Sequence, residues 1–106
     1  MIRTLSLLAL FAAPPALAEA PTPKVQPEIQ LKHDAVKVVK ITIAPGAALP
    51  VHTTPVHATV AAMAGEGSVS IGEKTVALPT HGTVFLPKAI PHGVKNTGTT
   101  PLVLLV

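Results

Sequence analysis

The stretch from Pro45 to Asn96 constrains the fold most. Proline or glycine interrupts it repeatedly, from Pro45-Gly46 through Pro50, Pro55, Gly65 and Gly67 to Pro87, Pro91 and Gly93. Proline lacks an amide donor and glycine weakens regular structure, so no long helix can run through such a sequence. The pieces between the breaks are short and rich in β-branched residues, which favours strands. Only the segment 57–64 could be helix or strand by periodicity. Gly65 and Gly67 close it off and valines flank it, which decides for strand.

The same reading extends along the chain. Residues 35–43 (AVKVVKITI) alternate in part and predict a strand ended by a Pro45-Gly46 turn. Residues 48–53 predict a second strand, edge or bulged because Pro50 and Pro55 interrupt it. Residues 67–71 and 75–78 predict a hairpin about Gly72-Glu73-Lys74, and Pro79-Thr80-His81-Gly82 a turn. Shorter strands follow at 83–86 and 93–95. The last run, LVLLV, is too apolar for an exposed edge and must lie inside a sheet or against a partner subunit. Many short strands with closely spaced turns indicate a sandwich or barrel.

The N-terminus reads differently. Met1-Ile2-Arg3 is a short positive leader, an apolar run covers 5–13, and Ala16-Leu17-Ala18 offers the small residues of a cleavage site. The run is too short to span a bilayer and Pro14-Pro15 would end a helix. We therefore expect residues 1–18 to be a cleavable signal peptide, 19–34 an extended linker or arm, and 35–106 the folded domain. A bacterial periplasmic or secreted protein follows, with no membrane attachment after cleavage.

Cleavage would remove the only arginine, Arg3, and one of the two phenylalanines, Phe11. Without guanidinium forks the remainder cannot grip carboxylates or phosphates bidentately. With Phe85 as its only aromatic ring, it has no stacking platform for bases. Seven lysines against five acids leave a net charge of about +2, so no nucleic-acid partner is expected. The chain has no cysteine, which excludes disulfides and thiolate-ligated metals.

The remaining chemistry is histidine. Three of the five histidines, His52, His57 and His92, lie in the two arms of the Pro45–Asn96 stretch. Residues two apart on a strand share a face, so His52 and Thr54 point together and His57 opposes them on an unbroken strand. A bulge or turn at Pro55 would reset that parity and let His57 join His52 and His92. Three neutral imidazoles can bind a divalent transition metal such as Zn, Cu, Fe, Ni or Mn. Thr54, Met63 and Phe85 are then expected to line the pocket. His81 is expected in an exposed turn, His33 in the N-terminal arm, and Asn96 as a turn residue bonding backbone groups.

These arms resemble the two signature motifs of the cupin superfamily. Gly46, five intervening residues and His52 match the start of the first motif, with Gly65 at its closing glycine. Pro87, Ala89 in a glycine place, His92 and Asn96 match the second, with Gly82 one residue short of the usual opening. The resemblance covers roughly residues 36–106 and implies a small antiparallel jelly-roll β-barrel that often holds a metal. The second histidine of the family's His-x-His is Thr54 here, and Ala58 takes the place of its glutamate. The resemblance implies a metal-binding module with a possible small-molecule ligand. Its alternatives are a small metal-dependent enzyme such as a dioxygenase, or a metal-free structural domain. A core of this size would also benefit from homodimerisation.

Overall fold

A computed structural model of the chain describes residues 24–106. The expected signal peptide lies outside the described residues. Among those residues there are nine strands and no helix. They are β1 (Val25–Lys32), β2 (Lys37–Ile43), β3 (Ala48–His52), β4 (Ala58–Ala64), β5 (Gly67–Ile71), β6 (Lys74–Leu78), β7 (Thr83–Leu86), β8 (His92–Asn96) and β9 (Leu102–Leu105). A five-stranded sheet runs β1-β2-β9-β4-β7 and a four-stranded sheet β3-β8-β5-β6. Every pairing is antiparallel. The all-β jelly roll expected from the sequence is the observed fold.

Strand alternation builds the core between the sheets. Ile41 and Ile43 of β2, Leu102 and Leu104 of β9, Val60 and Ala62 of β4, and Leu86 of β7 are buried from one side. Val69, Leu78 and Val94 meet them from the other. Burying a side chain as fully as Leu104 contributes about 2 kcal/mol. The apolar terminal run is β9, central in its sheet between β2 and β4, so its edges are paired.

The turn chemistry explains the connections. β5 and β6 join through Gly72-Glu73, with Ile71 opposite Lys74 and Gly72 at φ +59°. The Gly82 amide donates to the Pro79 carbonyl at 2.8 Å, with His81 exposed in the left-handed region between them. Gly65 has φ +80°, and a Cβ there would stand 2.5 Å from the Pro101 carbonyl oxygen, so the β4–β5 turn requires glycine.

The segment expected as a linker or arm differs. Residues 25–32 form β1, paired along β2 from Val25–Ile43 to Lys32–Lys37. The folded part therefore begins before residue 35. Pro27 suggested a linker, but β1 is an edge strand, where proline loses no ladder bond on its open side. A bulge between Ile29 and Leu31 sets Ile29 opposite Val39 and Leu31 opposite Val38, so the two point to opposite faces of the hairpin. Both are exposed.

Candidate metal centre at the barrel mouth

The end of β3 meets the start of β8. Leu49 pairs with Val94 and His52 with His92, so Pro50 and Val51 together stand opposite Gly93 alone. That is a β-bulge, and it changes the parity of β3. Leu49 packs against the core, and an unbroken strand would turn His52, three residues on, to the other face. The bulge returns it to the face of His92. Pro50 tolerates this because β3 is an edge strand. Gly93 permits it as well, since a Cβ there would come 3.1 Å from both the Leu49 carbonyl oxygen and Val51 Cγ2.

The two rings lie with centroids 4.6 Å apart and planes at 66°. His92 is only 3% exposed, whereas His52 faces the opening. Both rings are held in the same way. His52 Nδ1 lies 2.8 Å from the Pro50 carbonyl oxygen, and His92 Nδ1 lies 3.2 Å from the Ile90 carbonyl oxygen. A carbonyl can only accept, so each Nδ1 carries the proton and donates. In a neutral imidazole that leaves the Nε2 lone pair free. Orientation of this kind, through the far ring nitrogen, is typical of metal-ligating histidines.

His57 is placed otherwise. Its ring stacks on Phe85 at 5.2 Å. Phe85 pairs with Thr59, on the face of the sheet opposite the buried Leu86 and Val60, and is 55% exposed. The Lys88 amide donates to His57 Nδ1 at 3.0 Å. An accepting Nδ1 puts the neutral ring's proton on Nε2, the opposite tautomer to His52 and His92. The chain does leave the strand at Pro55, in the bend between β3 and β4, but there the His57 ring goes to Phe85; a separate bulge at Pro50–Val51 serves His52. Among the described residues, no group of three or more His, Cys, Asp or Glu side chains is placed to hold a metal ion.

Around this mouth lies an open groove of about 1000 Å³. Val36, Val56, Phe85 and Leu105 give it an apolar lining, with His52, Thr54 and His57 among its polar groups. Thr54 and Phe85 line this groove, Phe85 from outside the core. Met63 lies away from the groove and is 53% exposed, at the irregularity between Ala62 and Ala64. His33 and Asp34, assigned from sequence to the arm, also line the groove, because the β1–β2 turn reaches the mouth. No local signal announces that placement. Ala58, in the family's glutamate place, pairs with Leu86.

Asn96 bonds backbone only. Its Nδ2 donates to the Ile43 and Thr100 carbonyls at 2.9 Å each, and its Oδ1 accepts from the Gly98 amide at 2.9 Å. The β8–β9 turn is thereby fastened to β2.

A small antiparallel jelly roll with paired histidines at one mouth defines the class. The Cupin domain family model matches residues 39–106, and the chain belongs to that family. Solved structures agree on the fold. The TT1209 protein of Thermus thermophilus is similar at 26% identity and a TM-score of 0.72, over 84% of this chain and 88% of that one. A double-stranded β-helix protein of Klebsiella pneumoniae is similar at 19% identity and a TM-score of 0.73, over 82% and 77%. A predicted oxalate decarboxylase of Thermotoga maritima is similar at 22% identity and a TM-score of 0.68, over 76% of each chain. No curated protein matches the chain in sequence.

Proposed function

We propose that this cupin-domain protein is an exported binding module that holds a divalent transition metal through His52 and His92. One observation carries the reading: both Nδ1 atoms donate to carbonyls, which leaves two Nε2 lone pairs on rings 4.6 Å apart. This donor set suits the imidazole-binding metals Zn, Cu, Fe and Ni better than Mn, which favours oxygen donors. A bound ion would supply Lewis acidity, with positions open to water or a small ligand. The chain's own part is to orient the two rings and to offer an apolar groove beside them. A binding role is favoured over catalysis because Ala58 stands in the place of the family's glutamate ligand, so no carboxylate accompanies the two histidines in the motif. Export rests on the leader in residues 1–18, and pairing of two copies on the open edge of β1.

The test is the metal content of protein purified from the periplasm and then loaded with zinc, copper or iron. About one equivalent is expected in the wild type, lost in a His52→Ala, His92→Ala double variant. Wild-type protein that retains none of the metals would overturn the reading.

A further inference from the structure

We infer that His57 is a positioning residue for His92, acting through the loop 87–91. The inference deepens the two-histidine reading in its consequence, but its structural claim concerns the metal-free protein.

Two bonds tie the loop after β3 to the loop before β8. The Thr54 carbonyl accepts from the Ala89 amide at 2.8 Å, and His57 Nδ1 accepts from the Lys88 amide at 3.0 Å. The next residue, Ile90, supplies the carbonyl that receives the His92 Nδ1 proton. Between these anchors Ala89 sits at φ +63°, a conformation a non-glycine residue holds only when its surroundings impose it. The 87–91 loop is therefore strained and pinned at adjacent amides, and the pinned piece carries the acceptor that selects the His92 tautomer. Phe85 supports the arrangement by stacking on the His57 ring, which aims its Nδ1 at the loop.

Chemistry separates this role from ligation. His57 can accept at Nδ1 only as the Nε2–H tautomer, so its Nε2 has no lone pair for a metal. Without that acceptor, Lys88 N–H would turn to water, Ala89 would be held by the Thr54 bond alone, and the Ile90 carbonyl would gain freedom to move relative to His92. The His92 ring would then populate both tautomers.

Two substitutions isolate the acceptor. His57→Asn retains an acceptor oxygen near the Nδ1 position. His57→Leu retains apolar packing on Phe85 but has no acceptor. Nitrogen-15 NMR of the imidazoles in metal-free protein reads the His92 tautomer directly. The expected result is an Nδ1–H signature in wild type and His57→Asn, and a tautomer average in His57→Leu. In parallel, zinc affinity is expected to fall on the order of tenfold in His57→Leu alone. A His57→Leu protein with the wild-type His92 signature, or a His57→Asn protein without it, would overturn the inference. Wild type that binds none of zinc, copper or iron would refute the proposed function while leaving the tautomer measurement valid.

Discussion

Replacing Asn96 with alanine tests how the β8–β9 turn is held to β2. The side chain is 1% exposed and makes three hydrogen bonds, each 2.9 Å long. Alanine removes all three. The Gly98 amide and the Thr100 carbonyl lie in a turn that water can reach, so each lost bond costs about 1 kcal/mol. The Ile43 carbonyl belongs to a residue with no exposed surface, so losing its Asn96 partner costs about 1–3 kcal/mol. The total is about 3–5 kcal/mol, a large part of the ~5–15 kcal/mol that holds a domain folded. For a domain of this size it corresponds to a drop in Tm of ~12–40 °C. Urea and thermal unfolding followed by far-ultraviolet circular dichroism would measure it. Asn96→Asp should lose more, because its carboxylate would face two carbonyl oxygens without a donor. A loss below about 1 kcal/mol in Asn96→Ala would refute the reasoning, because the turn would then need no side-chain fastening.

The other predictions concern single backbone positions. Gly65→Ala and Gly46→Ala share a positive φ, but only at Gly65 does the new Cβ meet backbone, 2.5 Å from the Pro101 oxygen. Gly46→Ala should cost about 1–2 kcal/mol in the same melts, from the left-handed conformation alone, and Gly65→Ala clearly more. Equal losses would show that the Pro101 contact is without consequence. Ala89→Gly relieves a non-glycine residue at φ +63° and should stabilise by about 0.5–1 kcal/mol, after allowing for the greater freedom of glycine in the unfolded chain. Destabilisation there would mean that the Ala89 methyl contributes packing larger than its strain.

Much of this fold was legible in the chain because its signals are local. Gly72-Glu73 makes a tight hairpin, Pro79-Thr80-His81-Gly82 a turn, and the apolar run of β9 demands burial on both edges. Strand 67–71 and strand 83–86 fall where composition puts them. The prolines near β1 misled for the opposite reason: whether Pro27 breaks a strand depends on which edge of which sheet it occupies.

The site divides along the same line. Sequence alone pointed to His52, His57 and His92 as its candidate chemistry, because cysteine is absent and Thr54 and Ala58 fill the places of other ligands. Only the tertiary structure decided which histidines meet. A one-residue bulge at Pro50–Val51 turns His52 toward His92, and backbone partners set each ring's tautomer. Side-chain parity depends on pairing with a distant strand, and the His57 proton on an amide of a distant loop. The carbonyls that hold His52 and His92 lie two residues before each ring, but only the folded bulge and loop aim them there.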